Sequence, residues 1–403
     1  MVVGAGAAGL MAATWAGRTG TPPLVLDGAR VLGAKILVAG GGRCNVTHDV
    51  VDERAYSGST RPAIRKVLRR FDVERTVAFF AELGVELKRE ETGKLFPVSD
   101  DAHTVLDALL GAARAAGAEI RHPWRVRGVR REEPGFAISG TGGTIHARRL
   151  ILATGGKSVP KSGSDGAGLE IARSLGHTVT PRLVPALVAL RLADGCFVRG
   201  LSGLSIEATL EVRSATGKRL HALTGSTLCT HFGLSGPGPM DISRHWQRAV
   251  LDDPGAHLVV RWLPDETPET LDAALRDLGG STVGRFLGSR VPARLATALC
   301  AEAAVDPATT GHVLTRPQRR ALVRAVLDTP LPVTGPRGWN FAEATAGGVP
   351  LSEVHLKHMA SRRAPGLYLC GEMLDVDGRI GGYNFQWAWS SGFVAGSAAG
   401  GAS

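Results

Sequence analysis

The chain has 403 residues, which at about 150 residues per domain suggests two or three domains. Apolar residues make up 44% and charged residues 21%, proportions that exclude a disordered chain, a collagen and a small disulfide-stabilised fold. The net charge is +10, but the denser basic groups, at 61–70, 125–131 and 316–324, contain no interleaved aromatic residues. The composition therefore favours a solvated basic face or the attraction of an anionic ligand, and it disfavours nucleic acid as a partner.

Glycine accounts for 53 of the 403 residues, well above the usual share of about 7%. The glycines follow no regular period. Each group of them therefore indicates a place where the backbone turns sharply or lies close to a ligand.

The five cysteines form no C-x-x-C pair, and their number is odd. This pattern excludes a disulfide framework and a zinc site, so we predict reduced thiols, a cytoplasmic location and no metal site. No apolar run reaches the roughly 18 residues needed to span a bilayer, and the first residues lack the pattern of a secretory signal. We therefore expect no membrane association.

The first motif follows the apolar pair Val2-Val3. A G-x-G-x-x-G turn leads into the helix-forming stretch 10–16, and a second apolar strand at 23–27 ends in an acid. This spacing is typical of dinucleotide binding, in which the turn and the helix N-terminus hold a pyrophosphate and the acid binds ribose hydroxyls. The candidate residues are Gly4, Gly6, Ala7, Ala8, Gly9 and Asp27. Because only two apolar residues precede Gly4, either the first strand is short or the sequence starts inside a longer one.

Three later segments favour FAD over NAD as the dinucleotide. The first is the stretch 33–45, where a run of glycines is flanked by basic residues. Such a run predicts a loop that lies against a planar or phosphate ligand, although a mobile surface loop is the alternative. The candidate residues here are Lys35, Gly41, Gly42, Arg43, Cys44 and Asn45. Arg43 could also lower the pKa of Cys44, but no neighbouring cysteine could resolve a redox thiol, so we expect a small packed residue at Cys44, with a catalytic thiol as the alternative.

The second segment is 149–156, a buried type of strand that ends in Ala-Thr-Gly-Gly. Small residues at that point let the chain pass close to a cofactor, and we predict contacts from Ala153, Thr154 and Gly155. A short β-meander is predicted upstream over 125–127, 136–138 and 144–146, and Val126 from it is a further candidate. A triphosphate P-loop is excluded, because the required first glycine is missing.

The third segment is near the end of the sequence. A strand at 366–370 runs into Gly371 and Glu372, which suit hydrogen bonding to a ribityl chain. A helix that opens at Gly382 to Asn384 would direct its positive end at the flavin. Gly382, Tyr383, Asn384 and Gln386 complete the candidate cofactor residues.

Together these segments resemble the FAD domain of glutathione-reductase-type flavoproteins, and within that superfamily the BaiN/YhiN-like FAD-dependent oxidoreductases, also called an aminoacetone oxidase family. The shared stretches are GAGAAGLMAA, GGGRCNVT, ATGGKS, THFGLSGP, TAGGV and PGLYLCGEMLDVDGRIGGYNFQWAWSSG. The sequence departs from the family at Ala39, at His48 and at 358–361.

The resemblance implies an α/β fold in which a Rossmann-like FAD-binding domain is interrupted by inserted domains. Its first part would be 1–184, followed by a β-rich domain at 185–263 and a small helical domain at 264–330. Residues 331–403 would return through the edge of the β-rich domain to the second part of the FAD-binding domain. The apolar patterns at 187–192, 205–212 and 258–262 also predict strands, and the Ala/Leu/Arg-rich stretch 264–324 predicts several short helices.

Bound FAD supports hydride transfer to or from a small organic substrate. The resemblance implies either reduction of an enone or oxidation of an amine, and the sequence does not separate the two. Because no second G-x-G-x-x-G follows a strand, NADH or NADPH would bind only transiently as reductant. A flavin-dependent RNA-modifying enzyme and a non-catalytic flavin-binding protein are the alternatives, and no particular oligomeric state is predicted.

Two residues are candidates for moving the proton. His231 lies in a Gly/Ser/Pro-rich loop and titrates near neutral pH, whereas Tyr383 adjoins the start of the flavin-facing helix. The alternatives are a histidine that holds its loop through a backbone carbonyl and a tyrosine that positions the ligand.

Overall fold

A computed structural model of the protein describes residues 1–401. The chain forms two compact units, which we call unit 1 (residues 1–186 and 339–401) and unit 2 (residues 187–338). The predicted β-rich and helical insertions, 185–263 and 264–330, fall together in unit 2 except for residues 185 and 186, which belong to unit 1. Within the described residues, no helix is both long enough and apolar enough to cross a membrane.

The strands, in chain order, are β1 (Val2–Val3), β2 (Leu24–Leu26), β3 (Thr47–His48), β4 (Tyr56–Gly58), β5 (Leu87–Arg89), β6 (Lys94–Pro97), β7 (Glu119–Arg121), β8 (Val126–Glu132), β9 (Gly135–Gly140), β10 (Gly143–Ala147), β11 (Leu150–Leu152), β12 (Val184–Ala186), β13 (Leu190–Leu192), β14 (Ser205–Arg213), β15 (Arg219–Thr230), β16 (Gly233–Ser235), β17 (His257–Arg261), β18 (Thr329–Leu331), β19 (Val333–Pro336), β20 (Ala344–Ala346), β21 (Val354–His355), β22 (Ala360–Ser361), β23 (Leu367–Leu369) and β24 (Val376–Gly378).

The α-helices are α1 (Ala7–Arg18), α2 (Ala34–Val38), α3 (Arg61–Leu68), α4 (Val73–Glu82), α5 (Ala102–Ala115), α6 (Ala167–Ser174), α7 (Phe197–Gly200), α8 (Pro237–Asp252), α9 (Pro268–Arg276), α10 (Val283–Gly288), α11 (Ala293–Glu302), α12 (Arg316–Leu327) and α13 (Tyr383–Gly400).

Unit 1 is built on a seven-stranded sheet in the order β21-β22-β23-β11-β1-β2-β7. The five strands from β23 to β7 pair in parallel, which is the arrangement that the βαβ pattern of the sequence predicts. The apolar runs of β23, β11, β1 and β2 are largely buried because helices pack against the sheet, whereas β7 at the edge is mostly exposed. β8, β9 and β10 form the predicted three-stranded meander.

Helices α1 and α13 pack against each other in parallel through small residues. A methyl group added at Gly392, Gly396 or Gly400 would collide with the backbone of Ala8, Ala12 or Ala16, respectively. Glycines spaced by four therefore let α13 lie directly on α1. These glycines serve helix packing, a use that the sequence interpretation, which looked for turns and ligand contacts, missed.

A buried polar cluster in unit 1 joins the end of α6 to the edge strands β21 and β22. His177 contacts Glu353 at 2.9 Å and Ser361 at 2.7 Å, and Glu353 also accepts a hydrogen bond from the N–H of Thr178 at 3.0 Å. Burial lowers the pKa of His177, so the ring is neutral and can donate to Glu353 while accepting from Ser361. Because Ser361 Oγ also accepts from the backbone N–H of Arg363 and Ala364, each at 2.9 Å, we interpret this group as structural.

Unit 2 contains an antiparallel seven-stranded sheet in the order β18-β17-β14-β15-β16-β13-β19, with its own buried core. Helices α9 to α12 confirm the predicted helical stretch. Helix α12 begins after Thr315, whose hydroxyl and backbone N–H both bind Gln318 in a capping box. This cap fixes the start of a helix that carries four arginines, namely Arg316, Arg319, Arg320 and Arg324.

Candidate functional site

Segments predicted to bind a cofactor end at the same edge of the parallel sheet in unit 1. β1, β2, β11 and β23 run in the same direction. The residues that follow these strands, beginning with Gly4, Asp27, Ala153 and Cys370, therefore lie along one carboxyl edge. Ligands of open α/β sheets bind at this edge. The structure thus brings together four segments that are far apart in the sequence.

The first glycine turn leaves open space in front of α1. Gly4 has a φ of 102°, and a methyl group at Gly9 would overlap the carbonyl oxygen of Gly4, so both positions require glycine. At Gly6, by contrast, no atom lies within 4 Å of the position of a side chain. No side chain caps this helix N-terminus in the described part of the chain, so the amides of Ala7 and Ala8 remain for an anionic group such as a pyrophosphate.

Asp27 links this turn to the loop after β2. Its Oδ2 accepts a hydrogen bond from the N–H of Ala5 at 2.6 Å, and its Oδ1 accepts one from the N–H of Ala29 at 2.7 Å. A carboxylate has about four acceptor positions, so acceptor capacity remains for the predicted ribose hydroxyls. The two hydrogen bonds from backbone N–H groups hold the carboxylate in place for that role.

Val126 lies next to the Asp27 segment through its neighbour Arg125. The side chain of Val126 is buried, and a methyl group at Gly28 would lie 3.0 Å from the Cα of Arg125. Arg125 in turn binds Asp165 at 2.7 Å. The predicted contact of Val126 with a cofactor would therefore come from its main chain.

A cluster of polar side chains joins helix α2 to the turn after β23. The ammonium group of Lys35 forms an ion pair with Glu372 and donates a hydrogen bond to Ser158 Oγ at 2.6 Å. Glu372 also accepts from the Ser158 hydroxyl at 2.7 Å and from the N–H of Thr345 at 2.9 Å. Lys35 and Glu372, which the sequence indicated separately, thus neutralise each other in one cluster.

The glycine loop that follows α2 is open on one side. Gly41 and Gly42 have φ values of 71° and 87°, and no atom lies within 4 Å of a side-chain position at Gly41. Arg43, in contrast, binds Glu90 at 2.6 Å, and its guanidinium lies 4.0 Å from the centre of the Phe96 ring. A contact between Arg43 and a cofactor phosphate stays a prediction, and it would compete with these protein contacts.

Cys44 does not match the reactive thiol considered from the sequence. Its side chain is fully buried, and burial raises the pKa of the thiol to about 12. The prediction that Arg43 lowers this pKa is wrong, because desolvation of the thiolate dominates and the guanidinium is bound to Glu90. Cys44 is a small packed residue, as expected from the lack of a resolving cysteine.

Asn45 connects the glycine loop to the start of α13. In the amide orientation that satisfies its partners, Asn45 accepts from the N–H of Gly382 at 3.1 Å and donates to the carbonyl of Thr47 at 2.9 Å. Gly382 has a φ of 93°, and a methyl group there would overlap the backbone of Thr47. The helix therefore begins in close contact with the loop, as the two predicted ligand segments require.

Tyr383 stands in a group of titratable side chains at this helix start. Its ring stacks on His48 with a centroid distance of 5.0 Å, and Tyr56 donates a hydrogen bond to its carbonyl at 2.8 Å. His48 and Lys94 also lie within 4 Å of a side-chain position at Gly381. The sequence interpretation treated His48 only as a departure from the family, although its titratable ring was a signal.

Two further predicted residues use their side chains within the protein. Asn384 accepts from the N–H of Gly378 at 2.8 Å and closes the loop before α13. Gln386 is buried and binds the Thr47 hydroxyl at 2.7 Å and the carbonyl of Phe71 at 2.8 Å. Their side chains hold the helix in place, so direct contact with a cofactor stays a prediction for their main chains.

Two buried hydroxyl groups flank the Ala153–Gly155 segment. In the described residues, Thr154 Oγ1 and Ser164 Oγ are buried without a hydrogen-bond partner. A buried group left in this state costs about 1–3 kcal/mol, so the two atoms indicate a ligand with polar groups. Gly155, with a φ of 72°, lies between them. With the open space at Gly6 and at the glycine loop, these residues fit an extended dinucleotide such as FAD.

His231 lies in unit 2, in the exposed turn between β15 and β16. Its ring packs edge-on against Phe232 at a centroid distance of 5.1 Å, and its carbonyl accepts from Arg199 Nε at 2.9 Å. The residues described above all belong to unit 1. The catalytic role of His231 stays a prediction.

Comparison with known proteins gives one consistent result. A family model described as "HI0933-like protein Rossmann domain" matches residues 1–398. The 3-dehydro-bile acid delta(4,6)-reductase of Clostridium scindens is 35% identical over 99% of this chain and 98% of its own length. The ribosomal RNA dihydrouridine synthase of Escherichia coli is 32% identical over 98% of this chain and 96% of its own length. A solved 3-ketosteroid delta1-dehydrogenase from Sterolibacterium denitrificans shares the fold at a TM-score of 0.53 and 14% identity, covering 98% of both chains.

Proposed function

We propose that this chain, which belongs to the HI0933-like family and is an FAD-dependent oxidoreductase, reduces a carbon–carbon double bond conjugated to a carbonyl group. The family membership confirms the resemblance predicted from the motifs. The natural substrate in this proposal is a small cyclic enone.

The observation that carries the proposal is the bond type shared by the two relatives. A 3-dehydro bile acid with delta(4,6) unsaturation has double bonds conjugated to its ketone. Conversion of uridine to dihydrouridine likewise saturates a double bond conjugated to a carbonyl of the base. Because both proteins align with nearly the whole of this chain, we infer that the same kind of bond is reduced here. Reduction is accordingly favoured over oxidation of an amine.

The residues at the carboxyl edge of unit 1 would hold the cofactor. The uncapped N-terminus of α1 would bind the pyrophosphate, and Asp27 would bind a ribose. The buried hydroxyls of Thr154 and Ser164 would form hydrogen bonds with polar groups of the cofactor. The N-terminus of α13 would stabilise negative charge on it. Bound FAD would supply a hydride to the β carbon of the substrate.

A proton must then reach the α carbon, and Tyr383 is the candidate donor. A phenol is protonated at neutral pH, since its ordinary pKa is about 10. The stacked ring of His48 and the contact with Tyr56 hold Tyr383 at the start of α13. His231 is the alternative donor.

The electrons would come from NADH or NADPH, bound transiently. No second G-x-G-x-x-G follows a strand in the sequence, so a dedicated nicotinamide domain is not expected.

The test is a two-step anaerobic experiment on the FAD-loaded protein. NADH and NADPH are first compared as reductants by loss of the flavin absorbance, and a 4-en-3-one steroid is then added to follow reoxidation. We expect reduction by at least one nicotinamide and rapid reoxidation by the enone. Failure of both nicotinamides, or reduction of the flavin by an amine, would contradict the proposal.

The variant Tyr383→Phe separates the proton step from cofactor binding. We expect it to keep its FAD and its reduction by nicotinamide, whereas reoxidation by the enone slows by about 10²-fold or more because the proton donor is lost. Unchanged reoxidation would assign the proton to another group, and His231→Gln is then the next variant.

Uridine in RNA is the second candidate substrate. Two observations favour it: the net charge of +10 and an arginine-lined cavity in unit 2. It stands against the sequence prediction that nucleic acid is not a partner. Reoxidation by a uridine-containing RNA, but not by the enone, would make it the primary substrate.

A further inference from the structure

Unit 2 contains a cavity of about 550 Å³ between α12, α9 and the ends of β14 and β17. Five arginines and three carboxylates contribute to its lining: Arg213, Arg261, Arg316, Arg320, Arg324, Glu269, Asp272 and Asp328. None of these residues belongs to the site in unit 1. The cavity therefore shares no residue with the segments that would hold FAD.

The charges of this cavity are not balanced. Asp328 binds Arg213, and Asp272 binds Arg276 and Arg319, so two of the three carboxylates are already neutralised. Glu269 is the carboxylate that remains. The positive charges that remain are those of Arg261 and of Arg316, Arg320 and Arg324. We call the last three the arginine row. No guanidinium group of the arginine row has a hydrogen bond or ion pair within residues 1–401, and all three side chains are exposed.

The arginine row is regular because its members are spaced by four residues on α12. Residues at this spacing lie on one helix face, with Cα atoms about 6 Å apart. Like charges at this spacing destabilise a helix by about 0.2–0.5 kcal/mol per pair. A series of evenly spaced, unpaired guanidinium groups therefore costs the free protein some stability and suits a ligand whose anionic groups repeat.

Arg261 adds a fourth unbalanced charge from the sheet. Its Nη1 donates to the carbonyl of Glu266 at 3.1 Å, whereas its Nε is buried and has no partner in the described part of the chain. Val323 and Leu327 provide an apolar floor between the charges. The cavity thus combines guanidinium groups with an apolar surface against which a sugar could pack.

We infer that the cavity and the arginine row of unit 2 bind the phosphate backbone of an RNA strand. The inference rests on the RNA candidate of the proposed function, and it adds the surface by which such a substrate is held. Guanidinium groups bind phosphate in bidentate fashion, and repeated contacts of this kind supply most of the affinity for a nucleic acid backbone. Contacts to the backbone position the strand but do not select its sequence.

The experiment compares two triple variants that remove the same charge. Arg316→Gln/Arg320→Gln/Arg324→Gln removes the arginine row, and Arg61→Gln/Arg65→Gln/Arg69→Gln removes a row of equal spacing at α3 in unit 1. The control row is exposed but lines no cavity that we describe, and its Arg65 is paired with Glu53. Binding of a fluorescent uridine-containing RNA hairpin to the oxidised, FAD-loaded protein is measured by anisotropy between 50 and about 200 mM salt, a range over which backbone contacts weaken strongly.

We expect the α12 variant to lower RNA affinity by tenfold or more at the lowest salt concentration. The slope of log K against log[salt] should fall by about 2 to 3, since each lost phosphate contact removes about 0.7–0.9. The α3 control should change affinity less than threefold. Equal effects of the two variants would show that only net charge matters, and an unchanged slope in the α12 variant would also overturn the inference.

A further arm distinguishes an RNA strand from a small phosphate. Inorganic pyrophosphate is titrated as competitor, and we expect no displacement of RNA at concentrations where its charge does not alter the ionic strength. Efficient displacement would assign the cavity to a small anion. Because no reductant is present, these outcomes are independent of enone or uridine reduction, which is followed separately by flavin reoxidation.

Discussion

The carboxyl edge of unit 1 and the arginine-lined cavity of unit 2 are built from different parts of the polypeptide. The edge depends on missing side chains and on backbone amides, as at Gly4, Gly6 and the N-terminus of α1. The cavity depends on charged side chains on one helix face. A backbone site shares residues such as Gly4 and Gly9 with the packing of the fold, whereas a side-chain site can be removed while the fold remains.

The largest expected effect is that of Gly9→Ala at the carboxyl edge. Its methyl group would overlap the carbonyl oxygen of Gly4, so α1 must move away from β1. We expect destabilisation by about 1–3 kcal/mol or more, together with loss of most bound FAD. The measurements are the flavin-to-protein ratio and the melting temperature.

Gly6→Ala is the matched control for that prediction. Its methyl group meets no protein atom within 4 Å, so the apoprotein should keep its stability within about 0.5 kcal/mol. FAD affinity should nevertheless fall by tenfold or more, because the methyl group would occupy the space left for the pyrophosphate. Equal FAD binding by wild type and Gly6→Ala would show that the ligand does not lie against this turn.

The comparison can be sharpened with Glu353, a buried carboxylate of unit 1 that is fully paired. Burial alone would raise its pKa, but hydrogen bonds from Thr178, His177 and Arg363 lower the pKa from 4.5 to about 2. The folded-state pKa is therefore below the unfolded value, and the stabilisation is complete above pH 4.5 and is lost as the pH falls toward 2. We expect Glu353→Gln to cost about 2–3 kcal/mol at pH 7.

The pH dependence of stability distinguishes the contribution of the Glu353 charge from that of ordinary packing. The difference in unfolding free energy between wild type and Glu353→Gln should shrink when urea unfolding is repeated below pH 4.5. Glu82→Gln, which removes an exposed partner of Arg18, should change stability by only about 0–1 kcal/mol. A Glu353→Gln difference that is constant with pH would contradict the role of the charge.

A smaller effect is expected at the contact between α1 and α13. Gly396→Ala would place a methyl group against the backbone of Ala12, and we expect destabilisation by about 1–3 kcal/mol. Gly111→Ala in α5, where no atom lies within 4 Å, should instead stabilise the protein by up to about 1 kcal/mol. A shift of the melting temperature in the same direction for both variants would contradict the interpretation that α1 and α13 are closely packed.

The smallest expected effect is that of Arg320→Gln in the arginine row. Removing the central charge relieves repulsion from Arg316 and Arg324, so stability should rise by about 0.2–0.5 kcal/mol per pair at low salt. The gain should vanish at high salt, where the charges are screened. Destabilisation beyond about 1 kcal/mol would mean that Arg320 has a structural role and would remove the contrast with unit 1.

The sequence was sufficient to predict the parallel arrangement of unit 1 and the glycines that turn sharply at its edge. Gly4, Gly9 and the start of α13 could be predicted because their requirements are local in the chain. Contacts between distant segments could not be predicted in this way. The pairing of Lys35 with Glu372 and the depth at which Cys44 is buried depend on neighbours from other strands and helices, so residue type alone could not show them.

The glycines of α13 illustrate the same limit. Gly392, Gly396 and Gly400 are regularly spaced, but their partners Ala8, Ala12 and Ala16 lie at the opposite end of the described chain. The arginine row, in contrast, is visible in the sequence as a spacing of four. The lack of partners for its guanidinium groups is not visible there, because it depends on whether Asp272 of α9 and Asp328 are already engaged.

The contact between α1 and α13 has a consequence for the order of events during synthesis. Helix α1 leaves the ribosome early, whereas α13 is the last helix of the described chain to emerge. Unit 2 is continuous in sequence and can fold while translation proceeds, since domains generally fold as units. Unit 1 must wait with the face of Ala8, Ala12 and Ala16 uncovered until α13 arrives. A nascent chain therefore completes its candidate cofactor site only once α13 has emerged, after the inserted unit.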